Sequence, residues 1–382
     1  MDFSEIQNTY AEQLSWSDSR LLEWATEIVG VPKLNPADSF VLHAPLELMA
    51  RAALLPGVAA GKRDQARARI VWMALKYKAA GPSVSPPAPV SPLSAEGAVD
   101  SLLKAIEASD LDEIDRYATW LGEHAPPDQL KRELGPPLAP ALGGAAHGSI
   151  ALHLLGRTPA IGGLVLRGVA REIGRFPEWR IQWDGLAKGG RPLVDALLDA
   201  PELGLPGSDF IFPMVSHGAE SARCLLNDVS NDPGAGGRAV SRVAAWSMMQ
   251  EPSTYTPYGW THTLTIPQAV MSLKIDPSLA VAVAGTLVVG FRASMGSLRL
   301  DPDLPAPAID PQRVLNLASD ASQHFDAHVV KYTLACFDAA AADPEMADLY
   351  MAAASQLCSW WSSQPDDGFY DDGSTRWATG RP

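Results

Sequence analysis

Cysteine is nearly missing from this chain of 382 residues: Cys224, Cys336 and Cys358 are the whole set, and no CxxC pair occurs. An odd, scattered count does not build a disulfide framework, so a reduced, cytoplasmic setting is expected. Basic residues are also few. Lys and Arg total 30 against 44 Asp and Glu, a net charge of −14. That balance argues against nucleic acid, whose phosphate backbone needs a basic footprint, and against an anionic membrane surface. Charged residues of both signs make up only 19% of the chain, below the usual roughly 25%. More of the chain is then neutral surface or interior, and a homo-oligomer would supply both.

Long apolar runs are lacking too. The longest, Ser278 to Phe291, is closed by Asp276 and Arg292. It falls short of the ~20 residues of a membrane span and is expected to be a buried helix. The first residues carry Asp2 and Glu5 with no apolar stretch, so no signal peptide is expected. Phosphate-loop and dinucleotide fingerprints are missing. Gly234, Gly236 and Gly237 follow Pro233 in Asn231 to Gly237, which reads as a loop. There is no GxSxG elbow, no HExxH, and no ExxH pair of a di-iron bundle. Strand signals reduce to Trp179 to Trp183, an isolated alternation.

What remains is helical. Apolar residues form 47% of the chain, enough for a sizeable core. Leu21, Leu22, Trp24, Ala25 and Ile28 recur at helical spacing after Ser17, a candidate N-cap. Leu102, Leu103 and Ile106, then Leu111, Ile114 and Trp120, repeat the pattern, as do Tyr332, Leu334, Ala335, Ala339 and Ala340. Ala339–Ala342 and Ala352–Ala354 favour helix. The fold class expected is all-α, a multi-helix bundle. Five prolines in Gly81 to Pro92 block helix and sheet. The division expected is an N-terminal helical segment (1–80), a Pro-rich linker or loop (81–96), a main helical body (97–364) and a polar tail (365–382), with 1–364 as one continuous domain the alternative.

Chemistry-bearing residues narrow to the eight histidines. His324 and His328 are four apart, hence on one helical face, with Lys331 three residues further on. Their neighbours Phe325, Ala327, Val329 and Val330 are apolar. A lysine in such surroundings loses solvation of its ammonium and its pKa falls. The neutral amine is a nucleophile and takes up carbon dioxide to give a carbamate, an anionic oxygen donor. The competing reading is a lysine that snorkels to solvent. His43, in FVLHAPLELM with Pro45 in a first helical turn, His147, in GGAAHGSIALH, and His262, in GWTHTLTIPQ, all stand where an apolar helix begins. Coincidence among eight histidines is the alternative to a shared role.

The order HAPLELMARAAL, HGSIALH, HTLTIPQAV and HVVKYTLAC resembles the questin oxidase-like family, from about Asp38 to about Trp361. Two departures from the family pattern are Leu42, where Asn is expected before the first histidine, and Ala151, where Arg often follows the HG-I element. The resemblance implies an all-α oxygenase, without flavin, that opens rings of oxidised aromatic polyketides such as anthraquinones with a Baeyer–Villiger-like outcome. At the matching positions it implies metal ligation by His43, His147, His262, His328 and Lys331, the lysine carbamylated or acting as a catalytic base. Four imidazoles and one anionic oxygen suit non-haem Fe(II) better than Mg or Ca and leave one position for O2 or substrate. His153 and His324 share helices with these ligands and are candidates to back them as hydrogen-bond partners, and His217 is the substitute should one fail. Tyr255, Tyr258 and Trp260 precede His262 and would stack on a flat substrate or pack in the core. Two further readings compete: a non-catalytic helical protein that binds a hydrophobic ligand, and a metal-free, NADPH-assisted oxidase.

Overall fold

The computed structural model describes residues 11–13, 15–35, 39–91, 94–181, 191–199, 215, 232–250, 256–295, 300–319 and 327–363. Among them the chain is all-α, and the sheet-type pairings are the isolated bridges Lys33–Ser83 and Ala141–Arg180. Among the described residues the alternation at Trp179 contributes to the second bridge: Leu142 N–H donates to the Trp179 carbonyl (2.7 Å) and Ile181 N–H to that of Pro140 (2.8 Å). Residues 182 and 183 lie outside the described residues, as do Cys224 and the tail from 365.

Side-chain caps set the first helices. The Ser17 side chain accepts from Arg20 N–H and opens α1 (Asp18–Val29). Further on come α2 (Ser39–Leu54) and α3 (Ala60–Ala79). Ser94 caps α4 (Ala95–Glu107) through Gly97 N–H, and Asp110 caps α5 (Leu111–His124) through Glu113 N–H. Each satisfies an amide that the helix itself leaves without an acceptor. Then come α6 (Pro127–Leu138), α7 (His147–Leu155), α8 (Pro159–Arg175) and the short α9 (Leu193–Leu198). Helices α5 and α8 cross where Gly122 meets Gly163, and a β-carbon on either would strike the other's carbonyl. Beside this crossing the buried Asp115 carboxylate accepts from Arg167 (2.8 Å) and Arg171 (2.9 Å). Arg167 also donates to the Ser85 carbonyl (2.7 Å), which straps the Pro-rich segment to α8.

The loop expected over Asn231 to Gly237 is corrected beyond Asp232. Helix α10 (Pro233–Gln250) begins at Pro233, and the Asp232 carboxylate accepts from Ala235 N–H at 2.7 Å. An aspartate cap followed by proline at the first helical position explains the start. A π-helical turn (Thr256–Trp260) leads into α11 (Thr261–Met271), followed by α12 (Pro277–Met295) and α13 (Pro311–Ser319). Helix α12 is the buried helix expected from the apolar run, inside the protein from Ala280 to Met295. Last come α14 (Ala327–Ala342) and α15 (Ala347–Ser363), joined by a tight connection and packed on each other. The functional site is placed by a ring of four helices: α2 packs on α7, α7 on α11, α11 on α14, and α14 back on α2.

Candidate metal centre

Each helix of the ring gives one histidine. His147 is the first residue of α7, and His262 and His328 are the second residues of α11 and α14. His43 is different. Helix α2 begins at Ser39, so His43 and Pro45 lie in its interior, which corrects the expectation of a helix start at His43 with Pro45 in the first turn. The cause is tertiary. Phe40 is buried against Trp72 and Tyr77 of α3 (ring centroids 6.4 and 6.5 Å apart), which draws the preceding turn into helix.

The four imidazoles converge in the core. His43, His147, His262 and His328 are 4%, 0%, 1% and 1% exposed. One ring nitrogen from each lies within 4.8 Å of the others. Ring centroids are 4.5 Å apart for His43–His147, 4.4 Å for His43–His328, 5.1 Å for His147–His262 and 4.8 Å for His262–His328. This group can bind a metal ion.

Backbone carbonyls fix two of the rings. His147 Nδ1 lies 3.0 Å from the Gly144 carbonyl, and His262 Nδ1 bonds the Tyr258 carbonyl. A carbonyl only accepts, so both Nδ1 atoms carry the proton and both Nε2 atoms present a lone pair. Those two Nε2 atoms stand 3.3 Å apart. Neither has a proton to share with the other, so the arrangement calls for a cation between them. Two ligands at ~2.0–2.1 Å from one ion, in tetrahedral geometry, are separated by about this distance. The donor chemistry, the orientation and the spacing therefore fit a transition metal.

The carbonyl that orients His147 comes from an unusual turn. Gly144, Ala145 and Ala146 have φ of 61°, 54° and 58°. In two of them a β-carbon is held in the left-handed region, at a cost of roughly 1–2 kcal/mol each. The carbonyl that orients His262 belongs to the π-helical turn, whose widened winding sets the Tyr258 carbonyl toward the ring. The GGAA run and the two Tyr-Gly residues before His262 were sequence signals for these turns, but neither signal revealed that a carbonyl would set a tautomer.

Charge is strongly constrained. Burial comes first among the causes that hold His147 and His328 well below the ordinary histidine pKa, and the Lys331 charge is second. The same two causes bring His262 down to about 3. All three rings are neutral at physiological pH, the ligating form. Lys331, 4% exposed, turns inward and places Nζ 3.0 Å from His147 Nε2. It does not snorkel. Asp and Glu are absent from the histidine group among the described residues.

The other described candidates divide: His153 stands apart from this centre, and Tyr258 lies against it. His153 Nδ1 donates to Ser272 Oγ (2.7 Å), and its Nε2 lies 3.6 Å from Asp338, at the far ends of α7 and α11 from His147 and His262. It is corrected from a partner of the ligands to a tether between helices. Tyr258 is half-buried, and its ring meets His328 edge-on at 4.9 Å. Trp260 is fully buried in the core. Tyr255, His217 and His324 lie outside the described residues. No family model matches the chain, and no match is found among curated proteins or solved structures.

Proposed function

We propose that the chain is a non-haem iron oxygenase that uses dioxygen to open a ring of a polycyclic, anthraquinone-like aromatic polyketide, in the manner the questin oxidase-like resemblance implies. The observation that carries this reading is the buried group of four imidazoles with Lys331 turned into it. Neutral nitrogen donors suit Fe(II) rather than Mg or Ca. Bound iron supplies the activation of dioxygen that a chain without a flavin fingerprint needs.

The protein's residues have separate tasks. The carbonyls of Gly144 and Tyr258 hold two rings in the ligating tautomer. Burial of all four rings keeps bulk water from the centre. Lys331 resolves the charge. As an ammonium it repels a cation. As a neutral amine it adds carbon dioxide at Nζ, releases a proton and becomes an anionic oxygen donor, which offsets part of the metal charge. Tyr258, half-buried beside His328, offers an aromatic surface to a flat substrate.

Oxygen uptake with a tricyclic hydroxyquinone tests the reading. The expected result is oxygen consumption with a lactone or ring-opened product, and no turnover under anaerobic conditions. Turnover without oxygen would make the chain a hydrolase or isomerase, and flavin in the purified protein would restore a flavin route.

A further inference from the structure

An aromatic path runs outward from the histidine group. The Tyr258 ring lies 4.9 Å from the His328 ring. Trp361 lies 6.4 Å beyond Tyr258, and Trp360 lies 4.8 Å beyond Trp361. These are centroid separations, and each pair meets edge to face at 82° to 87°, so the ring edges are near contact. His328 is 1% exposed and Trp361 3%, whereas Trp360 is partly exposed. The path therefore starts in the core and ends at the surface. Packing of α14 on α15 builds it, because the start of α14 lies beside the end of α15.

Tyrosine and tryptophan are the aromatic side chains that give up an electron most readily. Electron transfer falls steeply with distance and is fast between rings near contact. A metal held by His43, His147, His262 and His328 that activated dioxygen without substrate would put these imidazoles at risk of oxidation, and their burial would keep a reductant in solvent from reaching them. We infer that Tyr258, Trp361 and Trp360 form a one-electron relay that carries oxidising equivalents from the histidine group to the surface. This rests on the reading of the site as an iron centre.

Tyr258 gives one electron to the oxidised centre and its phenolic proton to water, which reaches its half-buried ring. Trp361 then gives one electron to the tyrosyl radical, which takes a proton back from water, and the Trp361 radical cation takes one electron from Trp360, whose indole proton goes to solvent. A one-electron donor in solvent, such as ascorbate, restores Trp360. Without a donor the indole radical adds oxygen and is permanently marked. Tyr332 is the rival outlet, one helical turn from His328 on α14. It is fully buried, with the buried Cys336 one turn further along the helix, so it leads inward.

The test uses the purified chain loaded with ferrous iron alone, with iron content measured first. Hydrogen peroxide is added below one equivalent, without substrate or ascorbate, and oxidised residues are mapped by peptide mass spectrometry. Freeze-quench electron paramagnetic resonance records the radicals. The expected result is oxidised indole at Trp360 and Trp361 and a tyrosyl or tryptophanyl signal, both absent from zinc-loaded protein. Tyr258→Phe keeps the ring and its packing but not its ready oxidation. It should lower the Trp360 and Trp361 marks several-fold and raise 2-oxohistidine at His328. Trp360→Phe, at a partly exposed position, should leave the Trp361 mark in place. Equal tryptophan oxidation in Tyr258→Phe or in zinc-loaded protein, or marks confined to Tyr332 and Cys336, would overturn the relay while leaving the iron centre standing. A chain that takes up no iron would overturn both.

Discussion

Nε2 of His147 and Nε2 of His262 face each other across 3.3 Å, and the Gly144 and Tyr258 carbonyls have already claimed the protons of both rings. Two lone pairs so placed repel unless a positive charge stands near them. The Lys331 ammonium answers for one, 3.0 Å from His147 Nε2. A metal ion would answer for both. The lysine and the metal therefore compete for the same lone pair, and binding of one requires the other to move or to lose its charge.

Lys331 variants separate these possibilities. Lys331→Glu should retain part of the metal, because it supplies a carboxylate oxygen where a carbamate would. Lys331→Ala should bind more weakly, and Lys331→Arg should be the poorest, since arginine stays charged in a dry site. In buffer stripped of carbon dioxide, added bicarbonate should raise metal occupancy of the natural chain and leave Lys331→Glu unchanged. Equal metal affinity in the arginine variant would remove the lysine from the site.

Acid should destabilise the metal-stripped protein, and the sign follows from the direction of the shifts. His147, His262 and His328 have folded pKa values below the unfolded value of about 6.5, His262 at about 3. As pH falls from about 6.5 toward 3, the unfolded chain takes up protons that the folded chain refuses, so stability drops by at most about 1.4 kcal/mol per pH unit for each histidine. Glu47 and Asp343 have folded values lowered from 4.5 and 3.8, so their losses begin at lower pH. His153 shifts in the same direction as the ligands, and for that reason the measurement compares the natural chain with His262→Gln. Urea unfolding at pH 6.5 and pH 5 should show a shallower pH dependence in the variant, and identical slopes would contradict the buried neutral state.

The turn before His147 should yield stability to glycine. Ala146 sits at φ 58°, which costs an alanine roughly 1–2 kcal/mol, while glycine there loses about 0.5–1 kcal/mol of chain entropy. Ala146→Gly should raise stability by up to about 1.5 kcal/mol, and Ala146→Val should lower it. A melting temperature that falls with glycine would deny the strain.

Much of the helical frame was legible in the chain. Ser17 announces α1, and the apolar run from Ser278 forms the core of α12, because capping and burial are local or near-local properties. Asp232-Pro233 was legible too, yet the glycines after it hid a helix start. His43 was misplaced because the turn before it is helical only through Phe40 packing on α3. The convergence of His43 with His147, His262 and His328 is long-range, and spacing alone does not disclose it; the expectation that the four share a role came from the resemblance in motif order. The carbonyl partners of the two rings could not be read at all, since they depend on a left-handed turn and a π-helical turn.

The Gly122–Gly163 contact gives a check on the frame apart from the site. Gly122→Ala forces a methyl group into the Gly163 carbonyl, and backbone must shift to admit it. Overpacking of this kind costs typically 1–3 kcal/mol. Denaturant midpoints should fall accordingly, with metal affinity at the distant ring little changed; an unaltered midpoint would mean that α5 and α8 do not cross there.

Elemental analysis of protein purified without a histidine tag bears most directly on the metal centre. The expected result is about one transition metal per chain, with iron ahead of zinc, and lower occupancy in each of His43→Ala, His147→Ala, His262→Ala and His328→Ala. Loss of the Gly144 or Tyr258 carbonyl geometry should weaken binding less, by about 10–100-fold in affinity. Metal-free protein from iron-replete cells, or full metal retention in all four alanine variants, would contradict the assignment.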